Sequence, residues 1–178
     1  MGNCSKTSGS LPSFIMLFIL LIAGGCSKNQ DDIALPIFDA IGGDFSLPST
    51  LGKLITLSDY HGKVVLLNFG FTSCPDICPT VLSRLAKLNS ELEAKYGINS
   101  QLLQVIFISV DPERDSTAIL KNYLTFFDST FIGISGSLEE TKELAKRYAI
   151  YFEKLTVENN SYQVAHTDKI LLLDKRGR

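Results

Sequence analysis

The sequence has little of several features, and each shortage excludes a class of protein. Its 178 residues carry 17 basic and 19 acidic side chains, a formal charge of −2. This excludes a protein that coats nucleic acid, because binding phosphates requires a basic face. The four cysteines are too few for a disulfide-dense scaffold. No internal repeat or low-complexity stretch occurs, and with 45% apolar and 20% charged residues the chain has the composition of one folded domain.

The N-terminal apolar run is too short for an ordinary membrane span. Residues 14–23 read FIMLFILLIA, whereas crossing a bilayer takes about 20 apolar residues. This length is typical of a secretory signal, and residues 23–26 read AGGC. The pattern resembles a bacterial lipoprotein signal in which Cys26 becomes the lipidated N-terminus. The alternatives are an uncleaved anchor and plain secretion, and all three place the rest of the chain outside the cytoplasm.

The chain therefore divides into three predicted parts. Residues 1–25 are predicted to be a lipoprotein-type signal peptide, residues 26–40 a tether, and residues 41–178 a single domain. We expect a membrane-anchored protein that faces the periplasm or another extracytoplasmic space. Residues 175–178 read KRGR, the form of a hairpin turn, so we expect the domain to be truncated at its C-terminus.

Predicted strands and helices alternate through the domain. Continuous apolar runs at Val64–Phe71 and Leu102–Val110 predict strands that are buried on both faces. The order of elements predicts an α/β domain whose sheet has a parallel core and right-handed crossovers. The other predicted elements are strands at 45–47, 54–57, 131–134, 150–157, 162–165 and 169–174, and helices at about 79–96, 116–127 and 138–148.

Two cysteines follow the first buried strand, at the strand end where ligands bind in α/β sheets. Cys74 and Cys78 each precede a proline, and Pro79 suits the first helical position, which makes Cys78 the predicted helix cap. A helix N-terminus favours thiolate over thiol, and C-x-x-x-C spacing permits a metal site or a disulfide. A permanent structural disulfide and two inert buried cysteines are the alternatives to a functional dithiol, which the two prolines and the helix start favour.

The sequence has two histidines. His61 lies in a polar turn and is expected to be a solvated loop residue. His166 lies between two predicted strands, a position in which a lone histidine is more often structural than functional. Together with Cys74 and Cys78, however, His166 completes a set of two thiolates and one imidazole.

This donor set limits the metal. Thiolates select Cu(I), zinc or iron–sulfur clusters, and imidazole suits zinc and copper. Iron–sulfur clusters usually take four cysteines and structural zinc takes four ligands, whereas three-coordinate Cu(I) needs no fourth. A blue-copper site with an axial methionine is excluded, because Met1 and Met16, the two methionines, lie in the predicted signal.

Three segments together resemble the Sco/SenC family, copper proteins of cytochrome c oxidase assembly. They are FGFTSCPDICPT at 69–80, ISVDPERD at 108–115 and AHT at 165–167, in the order in which the family has them. The resemblance runs from about Gly43 to the end of the sequence. It implies a thioredoxin-like fold with an N-terminal β-hairpin and an inserted hairpin that carries the histidine.

By the same resemblance, Cys74, Cys78 and His166 bind one copper ion per chain, as Cu(I) or Cu(II), in a membrane-tethered protein. The tether is lipidated Cys26 or an uncleaved N-terminal segment. The implied function is a metallochaperone for the binuclear copper centre of cytochrome c oxidase subunit II, or for another copper acceptor. Ala165 stands where the family usually has an acid, a departure that we expect to alter ligand tuning or docking of the partner.

Two other functions compete with the metallochaperone. The first is a thiol–disulfide oxidoreductase in which Cys74 and Cys78 form a redox-active pair without metal. A requirement for His166 separates it from the chaperone, because a dithiol reductase does not need the imidazole. The second is a peroxide-reducing enzyme, which is disfavoured because a C-x-x-x-C pair with two prolines is unlike a peroxidatic cysteine set.

Overall fold

The computed structural model describes residues 36–38, 40–157 and 161–178. The predicted signal peptide and most of the predicted tether lie outside the described residues, so the structure does not test them. Residues 37–178 form one compact unit. Among the described residues, no helix combines the length and the hydropathy that a membrane span needs.

Eight strands and three helices make up this unit. The strands are β1 Ser46–Pro48, β2 Leu54–Thr56, β3 Val64–Gly70, β4 Leu103–Ser109, β5 Ile132–Ile134, β6 Phe152–Val157, β7 Ser161–His166 and β8 Ile170–Leu173. The helices are α1 Ile77–Tyr96, α2 Thr117–Thr125 and α3 Leu138–Arg147. A short 3-10 turn, Leu57–Tyr60, follows β2, where the sequence pattern had predicted one more strand residue.

The main sheet has the order β5-β4-β3-β8. Strands β3, β4 and β5 run parallel, and β8 pairs antiparallel with β3. In the parallel register Gly70 lies opposite Ser109, so the loops that follow β3 and β4 leave the same edge of the sheet. The predicted parallel core is confirmed, and the site-bearing loops meet at this edge.

The two faces of the sheet bury different sets of side chains, because alternate residues of a strand point to opposite faces. One face packs against the β1–β2 hairpin and α3, and the other against α1 and α2. The first core includes Val65, Leu67, Phe69, Ile106, Ile108, Leu144 and Tyr148. The second includes Leu66, Val105, Phe107, Leu82, Leu85, Leu120 and Leu124. These opposed cores explain why successive residues of β3 and β4 are mostly apolar.

Two hairpins lie outside the main sheet. β1 and β2 pair near the N-terminus, and β6 and β7 form a separate two-stranded sheet in which Phe152 lies opposite His166. The predicted α/β class, with an N-terminal hairpin and an inserted hairpin that carries the histidine, is confirmed.

Helix ends were predicted with mixed success. Gly97 ends α1 in the left-handed conformation, with φ 67°, and a capping box between Ser137 and Glu140 begins α3, both as predicted. The prediction that Cys78 caps α1 is wrong, because Asp76 is the cap and the helix begins at Ile77. The backbone N–H groups of the first turn have no partner within the helix. A proline, which lacks an N–H, is therefore tolerated at more than one position of this turn and does not fix the first residue of the helix.

Candidate metal centre

The structure brings the three predicted ligands together. The sulfurs of Cys74 and Cys78 and a ring nitrogen of His166 all lie within 4.8 Å of one another. The Cys78 sulfur is 3.6 Å from Nε2 of His166. Within residues 36–38, 40–157 and 161–178, this is the one group of three or more histidine, cysteine or acidic side chains that could hold a metal ion.

His61 does not join this group. It is exposed and precedes β3, whereas Cys74 follows the other end of that strand. A strand of this length separates its ends by about 20 Å. The prediction that His61 is a solvated loop residue is confirmed.

Cys78 is packed tightly between the end of β3 and the first turn of α1. It is 2% exposed, and a Cβ atom at Gly70 would lie 2.8 Å from its sulfur and 2.8 Å from two ring atoms of Phe107. Glycine at position 70 is thus a requirement of close packing. Cys74 is half-buried, and the backbone N–H of Cys78 donates to its sulfur at 3.5 Å. The helix start therefore directs an amide at one of the two sulfurs.

The protonation of Cys78 differs from the sequence-based expectation. Burial raises the pKa of the Cys78 thiol to about 12, although a hydrogen bond with the backbone of Phe71 acts in the opposite direction and lowers the pKa. We had expected the helix N-terminus to favour the thiolate, and for Cys78 in the metal-free chain that expectation is wrong. Loss of hydration outweighs the partial positive charge, so a metal must displace a proton to bind this sulfur.

His166 is the last residue of β7, and its backbone neighbour sets the state of its ring. Nδ1 lies 2.9 Å from the carbonyl oxygen of Thr167. A carbonyl can only accept, so Nδ1 carries a proton, and in the neutral imidazole the lone pair then lies on Nε2, the nitrogen that faces Cys78. The ring of Phe71 packs edge-on at 5.7 Å and 84°. A hydrogen bond of this kind from the distal nitrogen is what orients metal-binding histidines.

A buried carboxylate holds the cysteine loop in place. Asp115 is fully buried and accepts from the backbone N–H of Thr72 at 3.0 Å and from its hydroxyl at 2.5 Å. The hydroxyl of Ser109 donates to the same carboxylate at 2.8 Å. The start of the loop that carries Cys74 is thus tied to the end of β4.

A second buried carboxylate four residues earlier contacts the histidine hairpin. Asp111 is fully buried and accepts from the hydroxyl of Tyr162 at 2.7 Å and from Nε of Arg114. The sequence pattern had assigned no role to these residues. The available signal was Asp111 and Asp115 in VDPERD, directly after a buried strand and at the sheet edge where the cysteines are placed.

Comparison with known sequences yields a consistent set of relatives. A family model described as SCO1/SenC matches residues 36–178. "Protein SCO2, mitochondrial" of Saccharomyces cerevisiae is 40% identical over 141 residues, which cover 78% of this chain and 46% of that protein. The chain spans about half the length of the first curated relatives that it matches.

Solved structures resemble the fold as well. ScoI of Arabidopsis thaliana, crystallised with copper bound, is 39% identical with a TM-score of 0.72, and the match covers 78% of this chain and 84% of that one. A SCO1/SenC family lipoprotein from Bacillus anthracis is 28% identical with a TM-score of 0.67, over 81% and 84% of the two chains. These likenesses confirm the predicted thioredoxin-like α/β fold.

Proposed function

The chain belongs to the SCO1/SenC family, and from that premise we propose that it binds one copper ion and passes it to an acceptor during assembly of cytochrome c oxidase. The ligands are Cys74, Cys78 and His166. The observation that carries the proposal is the convergence of two sulfurs and one unprotonated ring nitrogen, from two separate elements, within 4.8 Å.

The donor set fits copper in both chemistry and number. Three donors around one centre with bonds of about 2.3 Å would be roughly 4.0 Å apart. The observed limit of 4.8 Å and the 3.6 Å between the Cys78 sulfur and Nε2 of His166 are both close to this spacing, so only small shifts of the three side chains are required. Two soft thiolates with one imidazole suit Cu(I). No fourth histidine, cysteine or acid of the described residues joins the group, which disfavours a structural zinc site.

The difference in exposure between the two cysteines implies an order in which they exchange copper with an acceptor. Cys74 is half-buried, whereas Cys78 is buried. An acceptor can therefore reach a bound copper ion on the side of Cys74, and ligand exchange begins with replacement of that thiolate. Cys78, which is buried, releases the ion last. Delivery to the binuclear copper centre of subunit II fits this order, because a cysteine-bearing acceptor can exchange one thiolate for another.

Copper competition against a Cu(I) chelator of known affinity tests the proposal. The reduced chain should bind one copper ion. Loss of a direct ligand should cost more than the 10- to 100-fold that removal of an outer partner costs, so Cys74→Ala and His166→Ala should each weaken binding by more than about 100-fold. His61→Ala is the matched control and should leave binding unchanged. Equal affinity of wild type and His166→Ala would contradict the proposal.

A dithiol reductase is the second candidate, because Cys74 and Cys78 are both free thiols. In this reaction the two thiols form one disulfide, and two electrons and two protons reduce a disulfide of the partner. The imidazole takes no part, so His166→Ala should keep reductase activity and Cys74→Ala should abolish it. Retained oxidase assembly with His166→Ala, together with its loss in Cys74→Ala, would favour this function over copper delivery.

The location and the domain boundaries belong to the same proposal. We infer a signal peptide at 1–25, a tether at 26–40 and a domain at 41–178, held at the extracytoplasmic side of a membrane by lipidated Cys26 or by an uncleaved N-terminal segment. A relative described as a lipoprotein supports lipidation. Incorporation of a labelled fatty acid into the wild-type chain but not into Cys26→Ser tests it, and equal labelling of both would contradict it.

A further inference from the structure

The histidine hairpin is held on the domain largely through side chains, because β6 and β7 form a sheet of their own. On β7, alternate residues share one face, so Tyr162, Val164 and His166 point the same way. Val164 is buried in the core with the first face of the main sheet. Tyr162 therefore lies near the start of β7, and His166, the proposed ligand, lies at the other end of the same strand.

Tyr162 is bound by two residues of the loop that follows β4. Its hydroxyl donates to the fully buried carboxylate of Asp111 at 2.7 Å. Nη1 of Arg114 donates to its carbonyl oxygen at 3.3 Å, and the guanidinium lies 3.9 Å from the centre of its ring. Asp111 also accepts from Nε of Arg114. Asp111, Arg114 and Tyr162 therefore contact one another, and we name them the docking triad. Nζ of Lys154, on β6, lies 4.7 Å from the centre of the same Tyr162 ring.

The docking triad is connected to the metal site by packing. The Arg114 guanidinium also lies 5.8 Å from the centre of the Phe71 ring, and Phe71 packs edge-on against His166 at 5.7 Å. None of the three triad residues belongs to the group of possible ligands. Any influence that they have on copper is therefore indirect, through the placement of the hairpin and the packing of Phe71.

We propose that Asp111, Arg114 and Tyr162 are positioning residues that hold the β6–β7 hairpin where Nε2 of His166 faces Cys78. The inference rests on the proposed function, since it assigns these residues to the copper site. Without the triad the two cysteines keep their places in the β3–α1 loop and on α1. The hairpin loses its contacts with Asp111 and Arg114 and keeps the ion pair between Lys154 and Glu113 at 2.6 Å. Copper would then be held by two thiolates for part of the time and by all three ligands for the rest.

The Tyr162→Phe variant tests this with the loss of one oxygen atom. The ring stays over Arg114, while the buried Asp111 carboxylate loses a donor. We expect Cu(I) affinity to fall about 10-fold, the lower end of the loss that removal of a residue behind a metal ligand causes. X-ray absorption of the bound copper should show an average of less than one nitrogen donor per copper ion. Tyr151→Phe is the matched control: that tyrosine lies beside the same hairpin, is 63% exposed, and its hydroxyl donates to the exposed Glu153. It should change affinity less than twofold.

A conservative change at Arg114 separates positioning from charge. Arg114→Lys keeps the positive charge but loses the planar fork that reaches Asp111 and Tyr162 together. It should weaken copper binding about as much as Tyr162→Phe does. Thermal unfolding of each metal-free variant identifies any that do not fold. A folded Arg114→Lys chain with wild-type affinity would overturn the inference.

Combination with His166→Ala distinguishes this inference from the proposed function. In that background Tyr162→Phe should have no further effect, because the triad acts only through the histidine. An equal loss of affinity in both backgrounds would mean that the triad acts on the cysteines or on the whole fold, and would overturn the inference. If His166→Ala weakens binding but Tyr162→Phe does not, the inference fails alone. If His166→Ala changes nothing, the proposed function fails as well.

Discussion

Gly70 and Cys78 lie so close that any side chain at position 70 would collide with the sulfur. A Cβ atom there would be 2.8 Å from Sγ of Cys78 and equally close to the ring of Phe107, and neither neighbour has free space to withdraw into, since both are buried. The position of one proposed ligand is therefore set by the absence of a side chain on the preceding strand.

Gly70→Ala should consequently disturb both the fold and the site. Overpacking of a filled core typically costs about 1–3 kcal/mol, and displacement of Cys78 should weaken copper binding. Urea unfolding of the metal-free protein and chelator competition measure the two effects. A variant with wild-type stability and wild-type copper affinity would show that the contact is less constrained than the structure indicates.

The two cysteines should react very differently with alkylating agents in the metal-free protein. Burial raises the pKa of Cys78 to about 12, and its side chain is almost completely shielded, whereas Cys74 is half-buried. Iodoacetamide at pH 7.5 should therefore modify Cys74 well before Cys78, as read by mass spectrometry of the cysteine peptide. Equal rates at the two positions would contradict the assigned environment of Cys78.

The raised pKa of Cys78 also predicts how stability depends on pH. An unfolded cysteine loses its proton near pH 8.5, while the native state keeps it up to about pH 12. The contribution of Cys78 is thus complete below about pH 8.5, and it is lost as the pH rises through the native pKa. Cys78→Ala should lessen the alkaline decline in the free energy of unfolding between these limits, and an identical decline in both chains would contradict it.

The half-buried Tyr123 and the buried Tyr148 should respond in opposite ways to removal of the hydroxyl group. In the described part of the chain the buried hydroxyl of Tyr123 has no hydrogen-bond partner, and burial raises its pKa. Tyr148, in contrast, donates to the carbonyl oxygen of Gly43 at 2.8 Å. Tyr123→Phe should stabilise the protein by up to about 1 kcal/mol, and Tyr148→Phe should destabilise it by about 1 kcal/mol. Urea unfolding of the two variants measures both changes in the free energy of unfolding. Changes of the same sign in the two variants would contradict the prediction.

Asp115→Asn should loosen the cysteine loop. The carboxylate accepts two hydrogen bonds from Thr72 and one from Ser109. In the Asp115→Asn side chain an NH2 group replaces one oxygen, and this NH2 faces groups that are themselves donors. Hydrogen bonds to charged groups are worth about 1.5–3 kcal/mol, so we expect a loss of about 2 kcal/mol in the free energy of unfolding. Exchange of the Thr72 amide hydrogen, followed by NMR, should accelerate, and unchanged protection would contradict the assigned role.

The sequence allowed prediction of the elements whose signal is local. The strands β3 and β4 are predominantly apolar runs, and Gly97 and the Ser137–Glu140 box end and begin helices by backbone chemistry that depends on neighbouring residues alone. Placement of the cysteines at the carboxyl edge of the sheet followed from Cys74 coming directly after β3. These features need no knowledge of distant contacts.

Features that depend on distant contacts could not be predicted in the same way. His166 is 88 residues from Cys78, and the chemistry of the donors together with the family resemblance, rather than spacing, joined them. Tyr162 and Asp111 are 51 residues apart, and no periodicity reports that a hydroxyl on a hairpin will meet a buried acid. The pKa of Cys78 was predicted in the wrong direction, because the helix start is visible in the sequence and the depth of burial is not.

The ligand count around bound copper tests the central claim most directly. X-ray absorption of the reduced chain, loaded with one equivalent of Cu(I), should show two sulfur donors and one nitrogen donor, and His166→Ala should lose the nitrogen while it keeps both sulfurs. A wild-type site with only sulfur donors, or with a nitrogen that persists in His166→Ala, would contradict the assignment of Cys74, Cys78 and His166 as the copper ligands.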